Sequence, residues 1–254
     1  MKAVVLAAGY ATRLYPLTET RPKALLEIAG RPVIEHTMEN IAETGSVDGI
    51  YVVVNGKFCR AFGEWLRGYA AGRKGTAGPP IEIIDNGTLS HEERLGGVGD
   101  LAFAVESESI DDDLLVIGSD RLFPGGFAGI ARYFEEVGSD VNACFDTKDV
   151  ERIRNAHGCV KIDDRNRIVD FQEKPAEPRS TYQSVSLYVF AGETISLLRQ
   201  YLRGGHNPDA PGHFLAWLCE RKPVYAYMLA EECLDIGTPE ALAHAARTYR
   251  ASRW

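Results

Sequence analysis

The first patterned stretch is residues 2–7, K-A-V-V-L-A, an apolar run that ends just before Gly9. Unbroken apolarity, rather than alternation, predicts a strand covered on both faces, as at the centre of a parallel sheet. Residues 9–30 lose any clean helical period. Pro16, Pro22 and the glycines punctuate them into a long loop with one or two helical turns. Behind Pro32, the residues Val33, Ile34, Met38, Ile41 and Ala42 return at helical spacing until Gly45 closes the run. Residues 50–54 (I-Y-V-V-V) predict the next strand, and Phe58, Phe62, Trp65, Leu66 and Tyr69 an amphipathic helix. A Gly/Pro-rich connector over 72–80 leads to strand character at 81–84, and residues 114–117 (L-L-V-I) predict a buried strand running into G-S-D. Strand alternating with helix at this spacing predicts a parallel, doubly wound sheet.

The second half changes rhythm. Strands are predicted at 141–145, 158–162 and 167–171, the last two joined as a hairpin through 163–166. Two more follow at 185–190 and 224–228, with helices around 194–202 and 214–220. Thr238-Pro239-Glu240 reads as N-cap, N1 proline and acidic first turn of a final helix. No internal repeat or linker interrupts the chain, so one domain is expected.

Composition narrows the classes. With 254 residues, 45% apolar and 25% charged, the chain is a core-former and not a disordered segment. No apolar run approaches the roughly 18 residues of a membrane span. Lys2 leads straight into a short strand without a signal-like apolar region, so a cytoplasmic protein is expected. The formal charge is −8 and there is no basic tract, which argues against nucleic acid as a partner. Any anionic ligand must be held by a local cluster. The five cysteines form no C-x-x-C pair and read as buried small hydrophobes, neither a zinc site nor a disulfide framework.

The informative chemistry lies in residues 6–32, L-A-A-G-Y-A-T-R-L-Y-P-L-T-E-T-R-P-K-A-L-L-E-I-A-G-R-P. A strand running into small residues leaves backbone N–H groups free to face an anion at the sheet's C-terminal edge. Arg13, Arg21 and Lys23 follow within one loop, facing only Glu19 and Glu27 as local carboxylates. Arginine offers phosphate a planar fork and lysine a movable point charge, so the loop reads as a phosphate clamp. Neither G-x-G-x-x-G nor G-x-x-x-x-G-K-[ST] is present, and the residues alone leave a solvated loop equally open.

This stretch resembles the signature of the sugar-1-phosphate nucleotidyltransferases, approximately L-A-A-G-x-G-T-R-L-x-P-L-T-x-x-x-P-K-x-L-L-x-I-x-G-x-P, and the chain looks like the glucose-1-phosphate thymidylyltransferases within it. The resemblance implies that Arg13 and Lys23 hold the triphosphate and the attacking phosphate. The backbone of Leu6, Ala7, Ala8, Gly9, Tyr10, Ala11 and Thr12 would wrap the nucleotide. One departure is Ala11, where the family has its second glycine, which reduces the loop's freedom. Asp120, in a G-S-D-R context, matches the family's metal-binding aspartate of G-D-N. Glu173-Lys174-Pro175 matches its E-K-P, where glutamate meets sugar hydroxyls and lysine a phosphate. Asp235-Ile236-Gly237-Thr238-Pro239 matches D-x-G-T-P, whose aspartate completes a magnesium site.

The segment 86–100 lies where the family reads the base, and Gly96 and Gly97 would let backbone approach a flat ring. The G-L-A-Q that marks thymidylyl transfer in close relatives is missing. On the acceptor side, Ser186 stands where relatives carry glycine and Arg121 where they carry asparagine. Both join Glu173 as acceptor-facing candidates. The implied fold is a Rossmann-like three-layer sandwich with a mostly parallel mixed sheet, similar to glycosyltransferase A. It would be a single domain over 1–254, with 1–140 serving the nucleotide and 141–240 the acceptor. No room follows Glu240 for the hexapeptide-repeat β-helix of bifunctional relatives, so a stand-alone transferase is expected.

The implied reaction needs these residue types. Two polyanions repel at contact distance, so the protein must align them and neutralise charge. Mg2+ takes one or two carboxylates plus phosphate oxygens, here from Asp120 and Asp235. Lys174 would hold a phosphate, and no general base is needed because a phosphate monoester is already ionised. The partners implied are a nucleoside triphosphate and a phosphorylated small-molecule acceptor, with self-association left open. Two alternatives remain: cytidylyl transfer to a non-sugar phosphate or phosphonate, motivated by Ser186 and Arg121, and a non-catalytic nucleotide sensor, motivated by Ala11 and Ser119.

Overall fold

The computed structural model describes residues 1–73 and 78–249. Residues 74–77 of the expected 72–80 connector lie outside them. The chain runs through β1 (Lys2–Leu6), a long loop, the short hairpin β2 (Glu27–Ile28) and β3 (Arg31–Pro32), then α1 (Val33–Ala42) and β4 (Gly49–Val54). Next come α2 (Cys59–Gly72), β5 (Ile81–Asp85), α3 (Gly97–Ser107), β6 (Leu114–Gly118), β7 (Arg121–Leu122) and α4 (Ala128–Val137). The remainder is β8 (Asp140–Asp146), β9 (Gly158–Ile162), β10 (Ile168–Gln172), β11 (Tyr182–Phe190), α5 (Thr194–Arg203), α6 (Pro211–Cys219), β12 (Val224–Met228), β13 (Leu234–Asp235) and α7 (Pro239–Thr248). Contacts group the chain into two compact units assembled from separate stretches.

The first unit comprises Met1–Leu95, Ile117–Ala128 and the chain from Cys233 onward. Three of its strands run in the order β1-β4-β5, with β4 parallel to both of its neighbours. Val4, Val5, Val52, Val53 and Val54 are all buried, as the unbroken apolar runs require. The stripe Val33, Ile34, Met38 and Ile41 makes α1 a core-facing helix, and each of these residues is fully buried. Full burial of each such side chain is worth about 1.5–3 kcal/mol.

A small separate element sets up the chemistry. β7 and β13 pair antiparallel, with Leu122 opposite Leu234 and Arg121 opposite Asp235. The amide of Ile236 extends the pairing by donating to the carbonyl of Asp120 at 3.1 Å. This ribbon rests on a cluster of Ile28, Val33, Leu122, Ile236, Ala245 and Tyr249. The last two belong to α7 and the residue that follows it. That helix starts as expected, with Thr238 Oγ1 accepting from the amide of Ala241 at 3.2 Å and Pro239 in the first turn.

The second unit comprises Gly96–Val116 and Gly129–Glu232. β9 and β10 form the expected hairpin, with Asp163 Oδ1 accepting from the amides of Arg165 and Arg167, each at 2.9 Å. β11 pairs antiparallel with both β8 and β9, and β12 lies parallel to β8. The β11–β8 register slips between Ser184 and Tyr188. There the Asn142 side chain donates to the carbonyls of Val185 and Leu187, at 3.1 and 3.2 Å, and satisfies backbone that the ladder leaves unpaired.

Candidate active site

In the first unit, β1 delivers the signature loop to the end of the sheet. The Ser119 amide donates to the Leu6 carbonyl at 3.1 Å, which brings the segment after β6 alongside the same strand end. Ala7, Ala8 and Tyr10 are buried, and Leu6 is half-buried. Gly9 is exposed, and the side of it where a Cβ would stand is open. The chain then turns through Ala11 in the left-handed region, at φ 49° and ψ 43°. An L-residue there costs roughly 1–2 kcal/mol. The turn is held by the Ala11 carbonyl, which accepts from Thr18 Oγ1 at 2.8 Å and from the Leu14 amide at 2.9 Å. The expected loss of freedom at this position is therefore met by strain that the loop sustains.

The three-residue turn Thr12–Leu14 carries Arg13 outward. Its guanidinium lies over Gly237: a Cβ on that glycine would come within 3.2 Å of Arg13 Nη2 and 2.8 Å of Asp235 Oδ1. Gly237 is the residue that lets the first loop and the β13 turn approach. Asp235 Oδ1 accepts the Gly237 amide at 2.5 Å, and its Oδ2 lies 3.7 Å from Arg121 Nη2. Lys23, on a second short turn, places Nζ 3.4 Å from Asp120 Oδ2. Arg13, Lys23, Asp120, Arg121 and Asp235 are thus assembled within one unit. Asp235 stands opposite Arg121 in the β7–β13 ribbon, and Asp120 directly precedes Arg121.

The electrostatics follow from that arrangement. Lys23 is the largest influence on Asp120 and, with help from Arg121, overrides burial and holds its carboxyl down to about 2. The Asp120 side chain is 37% exposed, yet its Oδ1 is buried and finds no hydrogen-bond partner among the described residues. Burial opposes the charge on Arg121, but Cys233, Asp120 and Asp235 hold its guanidinium above the ordinary arginine range. Arg121, expected on the acceptor side, is in fact buried, with Nη1 donating to Cys233 Sγ at 3.5 Å.

The Tyr10 side chain is engaged within the unit. Its ring is buried and its hydroxyl donates to Thr88 Oγ1 at 3.0 Å, while Thr88 Oγ1 in turn donates to Asn86 Oδ1 at 2.8 Å. The side chain braces the loop after β5 against the signature loop, and a nucleotide contact from this residue would be through backbone. Asn55 adds a second brace by donating to the Ala8 carbonyl at 2.8 Å.

The remaining candidates belong to the second unit. Glu173 is largely buried, with Lys174 Nζ 3.8 Å from its Oε1. Its carboxylate lies over the first turn of α6, where a Cβ on Gly212 would come within 1.8 Å of Oε2. Lys174 has a φ of 47°, a strained conformation for a non-glycine residue directly before proline. Ser186 is half-buried where β11 slips register. Gly96 and Gly97 open α3, but against the chain itself: a Cβ on Gly96 would meet the Pro208 carbonyl oxygen at 2.4 Å. The Gly97 amide donates to the Asp209 carbonyl at 2.6 Å. Close approach explains both glycines, and the surface approached is residues 208–211. Gly212, Gly237 and Cys233 were not singled out from the sequence. A glycine inside D-x-G-T-P was the only signal available for any of them.

Residues 2–252 match the family profile described as Nucleotidyl transferase. The chain belongs to that family. Among curated relatives of this nucleotidyl transferase, the bifunctional protein GlmU of Methanocaldococcus jannaschii is 30% identical over 200 residues, 79% of this chain and 42% of that protein. A UTP–glucose-1-phosphate uridylyltransferase of Synechocystis sp. is 30% identical over 241 residues, 93% of this chain and 60% of that protein. The chain spans about half the length of the curated relatives it matches. A solved UDP-glucose pyrophosphorylase complexed with UDP-glucose superposes with a TM-score of 0.82 at 20% identity, covering 98% of this chain and 97% of the other. A putative glucose-1-phosphate thymidylyltransferase from Bacillus anthracis superposes at 0.77 with 22% identity, covering 100% and 98%. The Rossmann-like α/β fold with a mostly parallel mixed sheet is therefore the one observed. Among the described residues no helix is long and apolar enough to cross a membrane.

Proposed function

We propose that this nucleotidyl transferase moves a nucleoside monophosphate from a nucleoside triphosphate onto a sugar 1-phosphate, releasing pyrophosphate, in the cytoplasm. The observation that carries the reading is that the β7–β13 ribbon holds Arg121 opposite Asp235 with Asp120 next to it, Lys23 3.4 Å from Asp120 and Arg13 over Gly237 beside Asp235. The relatives' names support the substrate class: glucose 1-phosphate appears in the uridylyltransferases and mannose 1-phosphate in a guanylyltransferase of Mycobacterium tuberculosis.

The residues fit Mg2+. Asp120 keeps a buried oxygen without a partner, Asp235 is a second hard oxygen donor, and Mg2+ takes its remaining ligands from phosphate and water. Among the described residues no third His, Cys, Asp or Glu joins them. When bound, such an ion neutralises charge on the reacting phosphates. The chain's own residues do the rest. Lys23 presents a point charge for the α-phosphate, and Arg13 offers a planar fork to the departing pyrophosphate. Glu173 accepts from acceptor hydroxyls, and Lys174 holds the acceptor phosphate. The attacking phosphate oxygen is ionised before it arrives and gives up no proton.

The test is pyrophosphate release over a panel of triphosphates and acceptors. Turnover is expected with one or more hexose 1-phosphates. Turnover confined to CTP with a phosphonate or non-sugar phosphate would replace this reading by the cytidylyl alternative. A second expectation follows from the cradle at Gly212. A methyl there pushes on the movable end of Glu173, so Gly212→Ala displaces the carboxylate with little strain on the backbone. Losing a hydrogen bond to a charged group is worth about 1.5–3 kcal/mol, or tenfold and more in affinity. Steady-state kinetics are expected to show the acceptor KM raised about tenfold with the triphosphate KM unchanged. Equal rises in both would remove Glu173 from the acceptor side.

A further inference from the structure

We infer that Arg121 is a resident counter-cation for Asp235 that weakens binding of a free divalent ion to the aspartate pair, so that the ion enters with the triphosphate. The inference rests on the metal-assisted reading above and concerns how the site is loaded. Each oxygen of Asp235 faces a donor: Oδ1 accepts the Gly237 amide at 2.5 Å, and Oδ2 lies 3.7 Å from Arg121 Nη2. Arg121 cannot swing away readily. Its side chain is 7% exposed, its backbone is paired opposite Asp235, and its other Nη is anchored on Cys233 Sγ. On the other carboxylate, Lys23 faces Oδ2 of Asp120, which leaves Oδ1 as the oxygen without a partner.

A free ion arriving here therefore meets two carboxylates that each already face a positive charge, Lys23 Nζ at 3.4 Å from Asp120 and Arg121 Nη2 at 3.7 Å from Asp235. A cation and a metal competing for one carboxylate oxygen oppose each other directly. A triphosphate reverses the balance, because it brings oxygen ligands for the ion and negative charge for Lys23 and Arg121 at once. Arg121 acts through Asp235 and is a positioning residue.

The experiment measures Mn2+ bound to the full chain by water-proton relaxation enhancement, with no acceptor present so that nothing turns over. It compares protein alone with protein plus each of the four ribonucleoside triphosphates. The wild type is expected to bind Mn2+ weakly alone and far more tightly with at least one triphosphate. Arg121→Asn is expected to bind Mn2+ alone about tenfold or more tightly than wild type, and Arg121→Lys, which keeps the charge, to behave like wild type. Equal Mn2+ affinity of Arg121→Asn and wild type in the absence of nucleotide overturns the inference, as does Arg121→Lys behaving like Arg121→Asn. If Arg121→Asn does not fold, the wild type decides alone: equal affinity with and without triphosphate overturns the inference. No protein-bound Mn2+ under any condition is a different failure. It removes the metal assignment itself, and the role of Arg121 with it.

Discussion

Replacing Asp120 by Asn is expected to lower kcat by at least about 10²-fold while the thermal transition stays near that of the wild type, the size of effect seen when one preorganised charge contact is removed from a reacting centre. Asparagine keeps the shape of the side chain and removes only its charge. Lys23 then faces no carboxylate, and the ribbon holds one anionic ligand where it had two. The stability effect is small because the Asp120 side chain is about a third exposed and water screens the pair. Lys23→Ala is expected to fall by a similar factor, for the complementary reason. Stopped assays of pyrophosphate release, with circular dichroism melting on the same samples, decide both. Full turnover in both variants would remove Asp120 and Lys23 from the catalytic machinery.

The pH dependence follows with a definite sign. Lys23 holds Asp120 at about 2, below its ordinary 3.8, so the carboxylate favours the folded state above pH 3.8 and that contribution is lost as pH falls toward 2. An acid limb in the rate profile at pH 5 or 6 would therefore belong to another group, such as a substrate phosphate. Removing Lys23 leaves burial as the main influence, and the Asp120 pKa is expected to rise.

What the sequence displayed and what it hid divide along one physical line. The signature loop was legible because its chemistry is contiguous: small residues, then Arg13, then Lys23, within one stretch leaving one strand. The strands of the first unit were legible because unbroken apolar runs have few other uses. β7 and β13 have two residues each, too few to show any period, and their pairing joins positions far apart in the chain. The resemblance marked both aspartates, but only coordinates show the ribbon in which Asp235 faces Arg121, the neighbour of Asp120. α4, with Ile130, Ala131 and Phe134 facing inward, was not predicted.

The glycines teach the same lesson from the opposite side. A glycine's reason is the atom that a Cβ would strike, and that atom is usually remote in sequence. Gly96 and Gly97 looked suited to a flat ring, yet residues 208–211 occupy the space beside them. Gly237 and Gly212 looked ordinary, yet each makes room for a candidate site group. Arg121 was read from a neighbouring motif as an acceptor contact, and burial turned it toward Asp235 and Cys233. In each case local pattern named the residue type and tertiary packing chose its partner.

The largest stability effect is expected at Lys222→Met, a loss of about 3 kcal/mol or more in equilibrium denaturation at neutral pH. Asp140, at the start of β8, has no exposed surface, and it accepts from the Ala191 amide at 2.7 Å and from Thr194 Oγ1 at 2.9 Å. Lys222 Nζ lies 3.1 Å from its Oδ2 and supplies its charge balance. Methionine fills the same space and removes the charge, so a carboxylate is left buried without its cation. The second partner of Lys222, Glu193, is exposed and water replaces that contact at little cost. Burial already raises the Asp140 pKa, so this group takes up a proton more readily folded than unfolded, and its ionisation removes stability as pH rises through the folded value. Without Lys222 the folded pKa climbs further. The deficit of Lys222→Met is therefore expected to be largest at pH 7 and to shrink steadily on acidification, and Asp140→Asn in the same chain is expected to recover part of it. A deficit independent of pH between 4 and 7, unrelieved by Asp140→Asn, would mean that lost packing and not the stranded carboxylate is responsible.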